Sequence, residues 1–219
     1  MLRCHRIGVW AIVGGLTLGF STAAWAADPP IFGVEGGINF NSTSLSGSDA
    51  ADLETMSKTG GTVGGFVGIP ISPMFSMQPE IIYTTKSVKL SGTGSMSGYT
   101  ANIQADFVEI PVLAKINPTK MKSLSYYVVA GPGFAFTTAA KLTDQNLNGQ
   151  TVPDEDLKAA DSFHGSDFTF IVGFGLQKGP IGVEARYDAG LLNMNKGTAT
   201  DTDIKFRVFS ILGHWSFRK

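Results

Sequence analysis

The feature that most constrains this chain is a pair of alternating segments within Asp167–Leu191, joined by the tight turn Lys178-Gly179-Pro180. Uncharged side chains, mostly apolar, occupy every second position of both segments. They are Phe168, Phe170, Val172, Phe174 and Leu176, then Ile181, Val183, Ala185, Tyr187 and Ala189. A period of two predicts β-strands with two different faces. A length of about ten residues suits strands that cross an outer membrane as part of a closed barrel.

The same alternation recurs along the chain and predicts eight strands. Before the hairpin the predicted strands are Ile31–Asn41, Thr62–Ile71, Phe75–Lys86, and segments centred on Val108–Ile116 and Tyr126–Phe136; the last strand ends at Phe217. The predicted connections alternate between tight turns and long polar segments, the latter at 42–61, 87–104, 138–166 and 192–203. All long segments then lie at one end of an antiparallel up-and-down barrel, as in outer-membrane proteins.

A soluble periplasmic lipid-binding barrel is the alternative fold, because its strands also alternate but point their apolar face inward. Two features favour the membrane. The second face carries Gly, Ala, Ser and Thr rather than many Lys and Glu, and aromatic residues cluster near strand ends. These aromatic residues are Phe32, Phe40, Phe75, Tyr83, Tyr126, Phe136, Tyr187, Trp215 and Phe217. The sequence therefore predicts an all-β, eight-stranded antiparallel transmembrane β-barrel.

Five residues do not fit the regular pattern. Pro111 and Pro132 fall inside strands, where they cannot donate to a hydrogen-bonded ladder, so we expect β-bulges there. Asp106, Lys205 and Arg207 fall on the apolar face. We expect these three to lie above the hydrocarbon.

The N-terminus predicts export. Arg3 and Arg6 precede an apolar run, and Ala24-Trp25-Ala26 has the small-x-small pattern of a cleavage site, so residues 1–26 are predicted to be a signal peptide and 27–219 one barrel domain. The one cysteine of the chain, Cys4, would be lost with the signal, which excludes disulfide and thiolate chemistry. With 17 basic and 18 acidic residues and no basic stripe, no nucleic-acid partner is expected.

Several short motifs resemble a known family. They are Gln78-Pro79-Glu80 with Tyr83, Glu109-Ile110-Pro111 with Lys115, Gly131-Pro132-Gly133, and Glu184-Ala185-Arg186-Tyr187 with Gly190, Leu191 and Asn193. In this order they resemble the PorT-like or "porin family" outer-membrane β-barrel domain, which consists of OmpA/OmpX-like eight-stranded barrels. One departure is that Arg218 and Lys219 follow the terminal aromatic residue. The resemblance implies an outer-membrane location and a barrel fold, with diverse functions.

Charged residues on the polar face predict a network in the lumen. Eight strands enclose a space that side chains can fill. The predicted network consists of Glu35, Glu80, Glu109, Lys115, Asp167, Glu184, Arg186 and Asp188. Because buried charges persist when paired, we expect Arg186 to pair with at least one of Glu35, Glu80, Glu109 or Glu184. The favoured interpretation is a polar plug, and the alternative is a narrow gated channel.

An outer-membrane hydrolase is the rival from another functional class. His164 lies near Asp161, Ser162, Ser166 and Asp167, residue types that can act as base, nucleophile and orienting group. No nucleophile motif accompanies them, so no catalytic residue is assigned. His214, with Ser216 nearby, is expected to be a hydrogen-bonded interior histidine.

One polar segment matches the spacing of an EF-hand calcium loop, D-x-[DN]-x-[DN]-G-x5-E. The predicted ligands are Asp144, Asn146, Asn148, Gln150 through its carbonyl, and Glu155. The pattern predicts a weak Ca²⁺ site, with Kd about 10⁻⁴–10⁻³ M. No flanking helices are predicted, and a polar loop that matches by chance is the alternative.

These observations predict a monomeric integral outer-membrane protein, embedded in outer-membrane lipid, with a structural or surface-interaction role carried by its extracellular loops. An extracellular ligand or surface partner is expected in that role, but the sequence does not identify it.

Overall fold

The computed structural model describes residues 28–46, 52–94, 97–119, 124–157, 165–194 and 203–217. Its strands are β1 (Ile31–Ser46), β2 (Leu53–Pro70), β3 (Phe75–Gly92), β4 (Tyr99–Thr119), β5 (Ser125–Leu147), β6 (Gln150–Thr151), β7 (Glu155–Asp156), β8 (Ser166–Lys178), β9 (Ile181–Gly190) and β10 (Asp203–Phe217). The strands β6 and β7 have 2 residues each, which leaves eight long strands. In the described part of the chain no helix has the length and hydrophobicity to cross a membrane.

The eight long strands form a closed antiparallel ring. The hydrogen-bonded order is β4-β3-β2-β1-β10-β9-β8-β5, and the pairing of β4 with β5 closes it. The seam between the first and last strands is continuous from Phe32↔Phe217 to Ser46↔Asp203. The predicted eight-stranded up-and-down barrel is therefore confirmed. The predicted signal peptide lies outside the described residues.

The apolar face of each strand points out of the barrel. Phe174 is 49% exposed, Trp215 58% and Ile181 62%, whereas alternating polar neighbours are buried. A soluble barrel has the opposite arrangement, with apolar side chains inside. The outer apolar surface is that of a barrel solvated by lipid.

Most of the predicted long polar segments turn out to be strand. The strand β1 continues to Ser46, β2 already begins at Leu53, and β3 and β4 reach Gly92 and Tyr99. The prediction that 42–61, 87–104 and 138–166 are loops is thus largely wrong. In these extensions the outward face is mostly polar, so the apolar-out alternation of the predicted strands disappears from the sequence.

An apolar cluster fills the barrel where the strands extend toward the long-loop end. Its largest members are Val88, Ile103, Phe107, Met194 and Phe206, all less than 5% exposed. Phe107 and Phe206 contact edge to face with ring centroids 6.0 Å apart. This inward-facing cluster stabilises the strand extensions by burying apolar surface.

The expected bulges at two prolines are absent. Pro111 lies opposite Gly133, and Pro132 opposite Phe170, in unbroken register. The irregularities of the β4–β5 pair lie elsewhere, between Thr100/Asn102, Asp106/Phe107 and Ile116/Thr119. Beside the prolines the hydrogen-bonded ladder lacks individual residue pairs. The strands therefore accommodate the absent proline N–H groups by losing a pair, and no extra residue is inserted.

The three outward-facing charged residues lie near the long-loop end of their strands. Arg207 is exposed and pairs with Ala189, while Lys205 pairs with Ser44 and Asp106 is half-buried. Their position above the hydrocarbon stays a prediction.

Candidate functional site

The barrel interior is the candidate site, because strand alternation directs the predicted polar residues into it. All eight residues of the predicted network are buried. They come from β1, β3, β4, β8 and β9. Strand alternation places Glu184, Arg186 and Asp188 on one face of β9, and barrel closure brings Glu35 and Glu80 of other strands to them. Glycines on the inner face make room for larger neighbours: a Cβ at Gly175 would overlap the ring of Tyr127, and one at Gly182 would overlap His214.

Arg186 is the centre of the first group of charges, which we call the Arg186 cluster (Arg186, Glu35, Glu80 and Glu184). Its Nη1 and Nη2 donate to the two oxygens of Glu80 at 2.7 and 3.1 Å, and its Nε donates to Glu184 at 2.7 Å. Glu35 lies 3.7 Å away. Arg186 thus pairs with three of the four carboxylates expected from sequence. A bidentate guanidinium–carboxylate pair is a strong and directional contact.

A second group, the Lys86 cluster, lies nearer the long-loop end (Lys86, Glu109, Asp167 and Asp188). The Nζ of Lys86 is 2.6 Å from Glu109 and 4.8 Å from the ring centroid of Phe107. Asp188 and Asp167 are close enough to interact electrostatically with Lys86. Asp167 also accepts a hydrogen bond at 3.1 Å from the backbone N–H of Leu192, which holds the end of β9 to β8.

Neutral side chains and a small cavity separate the two clusters. The amide of Asn39 donates to the hydroxyls of Thr62 and Thr84 at 3.0 and 2.9 Å. A cavity of about 20 Å³ lies between Arg186 and Lys86. That volume holds about one water molecule.

Aromatic rings fill the lumen near the short-turn end. The hydroxyl oxygen of Tyr127 lies 3.4 Å from Nδ1 of His214, and the ring of Phe66 contacts the same imidazole edge to face. The Nε2 of His214 has no hydrogen-bond partner among the described residues. The expectation of a fully hydrogen-bonded histidine is therefore only half met.

Sequence reasoning missed Lys86, Gln78 and Tyr127 as members of the lumen. Gln78 donates to Glu80 at 2.8 Å and so supports the Arg186 cluster. The parity of β3 was a sufficient signal for Gln78 and Lys86, because both share the inward face with Glu80.

The predicted calcium segment forms a β-hairpin. Asn146 pairs with Thr151 and Leu147 with Gln150, around a turn at Asn148-Gly149. Both Asp144 and Asn148 have left-handed backbones, with φ of 51° and 53°. The chain therefore reverses direction in a hairpin and does not wrap around a single ion position.

Two of the predicted calcium ligands already accept hydrogen bonds. Asp144 accepts from the amide of Asn102 at 2.5 Å, and Asn146 accepts from the backbone N–H of Gly149 at 2.9 Å. The Glu155 carboxylate lies near Tyr99, whose pKa is raised above 10.0 first by burial and then by that charge. Within the described residues no group of three or more His, Cys, Asp or Glu side chains forms a metal site. The calcium site stays a prediction.

The residues of the hydrolase alternative are not brought together in the described part of the chain. Asp161, Ser162 and His164 lie outside it. Ser166 begins β8 opposite Phe136, and Asp167 points into the lumen.

A family model matches most of the chain, and several solved structures are similar to it at low sequence identity. The model of a family described as outer membrane protein beta-barrel domain matches residues 31–196. Among solved structures, outer membrane protein OprG from Pseudomonas aeruginosa is 12% identical, with 88% of this chain and 98% of that chain covered and a TM-score of 0.47. Ail, the attachment invasion locus protein of Yersinia pestis, is 12% identical, with 87% and 100% covered and a TM-score of 0.42. A comparison with curated proteins finds no match to this sequence.

Proposed function

Because the chain belongs to the outer membrane protein beta-barrel domain family, we propose that it is an integral outer-membrane protein with a closed lumen, acting as a structural or surface-interaction protein. The PorT-like subdivision suggested by the sequence motifs remains part of this proposal. Export through a cleaved signal at residues 1–26 and a monomeric state also belong to it.

The observation that carries the proposal is the filling of the lumen from the rings of Tyr127 and His214 to the apolar cluster. Along the barrel axis the aromatic residues, the Arg186 cluster, the Lys86 cluster and the apolar cluster follow one another. Between the two charged clusters the cavity has only about 20 Å³. This filling favours a plugged barrel over the gated channel, because a hydrated ion needs a continuous polar path.

The extracellular face is then the part of the molecule available to a partner. Five strands extend past the predicted membrane-crossing segments, and the hairpin of β5 and β6 ends in the exposed residues Asn148 and Gly149. A rigid sheet presents such loop tips at fixed positions, which suits recognition. The proposal assigns no catalytic residue.

Epitope insertion tests the topology on which this function rests. A tag inserted after Gly149 should be labelled by antibody on intact cells. A matched tag in the β8–β9 turn at Gly179-Pro180 should be labelled only after permeabilisation. The reverse pattern, or labelling of neither tag on intact cells, would contradict the proposed surface role.

A further inference from the structure

A cavity at the short-turn end of the barrel has no place in the function proposed above. Its volume is about 160 Å³. It opens at the end that faces the periplasm in barrels of this class. Among its lining residues are Lys115, Gln78, Gln177, Ser216, Phe66 and Asp28.

Lys115 gives this cavity a buried positive charge. The residue is only 8% exposed, and its Nζ lies 3.8 Å from the ring centroid of Tyr127. No carboxylate of the described residues lies within the 4.0 Å of an ion pair. A buried ammonium group without a direct anionic partner is unusual, because the cost of its desolvation is not repaid.

The carboxylates that act on Lys115 from beyond ion-pair distance are Glu184, Glu80 and Glu35, and all three lie within ion-pair distance of another cation, Arg186. Arg186 occupies both oxygens of Glu80 and one oxygen of Glu184, and Gln78 adds a further donor to Glu80. The other lumen lysine differs, because Lys86 lies 2.6 Å from Glu109. Among the lumen cations of the described residues, Lys115 thus has no carboxylate within ion-pair distance, and it lines an open cavity.

We infer that this cavity binds a small organic carboxylate that enters from the periplasm, with Lys115 as its charge partner. The amide nitrogens of Gln78 and Gln177 each donate one N–H, to Glu80 and to the carbonyl of Gly179, and each carries a second N–H. With the hydroxyl of Ser216, these are donors of the kind that orient a carboxylate. The apolar wall, which includes Phe66 and Met74, accommodates a short aliphatic group. A cavity of about 150 Å³ in another protein accommodates benzene, so this cavity limits the enclosed part of the ligand to about six heavy atoms, such as the C-terminal residue of a peptide.

Asp28 is the one acidic residue that lines the cavity, and it is exposed. Because Asp28 lines the cavity, its negative charge repels an anion that enters. Removing this charge should therefore tighten binding, and removing the charge of Lys115 should weaken it. A general loss of barrel stability would weaken binding in both variants. Opposite changes in affinity therefore indicate a specific site.

Calorimetric titration of the full barrel refolded in detergent tests the inference. The probes are acetate, N-acetylalanine and the neutral N-acetylalanine methylamide. We expect saturable heat from the two carboxylates and none from the methylamide. Tighter binding of N-acetylalanine than of acetate assigns a peptide C-terminus as the source, and equal binding assigns a free carboxylate. Absence of saturable heat from both carboxylates, or equal binding of the methylamide, overturns the inference.

Three variants in the same titration test the roles of Lys115 and Asp28. Lys115→Gln should weaken carboxylate binding at least tenfold and Asp28→Asn should strengthen it. Lys178→Gln, which removes an exposed charge from the β8–β9 turn at the same end, should leave it unchanged. Equal affinity of Lys115→Gln and wild type overturns the inference.

A second measurement on the wild type covers the case in which Lys115→Gln does not fold. Acylation by an amine reagent, located by mass spectrometry, should slow at Lys115 when N-acetylalanine saturates the protein and stay constant at Lys178. Equal rates at Lys115 with and without the carboxylate overturn the inference.

Discussion

At the scale of single residues, the interior depends on whether each buried charge finds its partner. Arg186 is 4% exposed and binds two carboxylates through three of its nitrogen atoms. The guanidinium is suited to this because its planar donors match a carboxylate in pairs. If Arg186 were removed, Glu80 and Glu184 would remain buried without their counter-charge.

Replacement of Arg186 by Met should therefore lower the free energy of unfolding by about 3–5 kcal/mol. The measurement is denaturant unfolding of the barrel in detergent, followed by tryptophan fluorescence. Lys178→Met, at an exposed position, is the matched control and should change stability by less than about 0.5 kcal/mol. An Arg186→Met barrel as stable as wild type would show that the pairs contribute nothing.

Glycine on the inner face gives a second prediction at this scale. A Cβ at Gly175 would meet the ring and hydroxyl of Tyr127, whereas one at Gly61 has nothing within 4 Å. Gly175→Ala should cost about 1–3 kcal/mol through overpacking. Gly61→Ala, also in a strand, should be neutral or slightly stabilising. Equal effects of the two substitutions in the same unfolding assay would argue against a tightly packed lumen.

At the scale of strands and hairpins, the sequence predicted the membrane-crossing parts and missed their extensions. The crossing parts alternate between apolar and polar residues, because one face meets lipid. In β3 the extension Ser87–Gly92 has lost this contrast: Ser87 and Val88 are both buried and Lys89 is exposed. Ser, Thr and Gly in such a segment are typical of loops as well as strands, so composition alone favoured a loop.

Hydrogen exchange distinguishes an extended strand from a loop in these segments. The β3–β4 ladder pairs Ser87 with Gln104 and continues to Ser91↔Thr100. Amides in this ladder should exchange far more slowly than those of an unstructured loop, because the apolar cluster beneath them must open first. Exchange at the rate of free peptide across 87–92 and 99–104 would contradict the extended strands.

The β5–β6 hairpin gives a prediction about calcium. A bound ion would compete with two existing donors, the amide of Asn102 at one oxygen of Asp144 and the N–H of Gly149 at the side-chain oxygen of Asn146. We therefore expect a site no tighter than about 10⁻³ M, the weak end of extracellular calcium modules. Calorimetric titration of wild type beside the Asp144→Ala/Glu155→Ala double variant is the test. Equal heats from both proteins, or none from either at millimolar calcium, would remove the site.

At the scale of the whole molecule, the partners within the lumen follow from barrel closure. Glu80 and Arg186 are 106 residues apart in the chain and meet because β3 and β9 face each other across the interior. Parity identified the inward face of each strand, but it carries no information on the stagger between strands. Sequence reasoning could therefore name Arg186 and four candidate partners. It could not show that Lys86 pairs with Glu109, or that no carboxylate of the described residues lies within ion-pair distance of Lys115.

The buried charges of the described lumen are unequal in number. Six carboxyl groups, from Glu35, Glu80, Glu109, Asp167, Glu184 and Asp188, accompany three cations, from Lys86, Lys115 and Arg186. The pairs of Arg186 with Glu80 and of Lys86 with Glu109 join different strands within the interior. They also occupy the space that an ion would need.

Conductance across a planar lipid bilayer tests the closed lumen most directly. The folded wild-type barrel should insert and give no steady single-channel current above that of lipid alone, while an open porin in the same membrane serves as the positive control. Folding is verified beforehand by the shift in electrophoretic mobility on heating. Steady, reproducible single-channel currents from the folded wild type would contradict the account, because they require a continuous water-filled path through the Arg186 and Lys86 clusters.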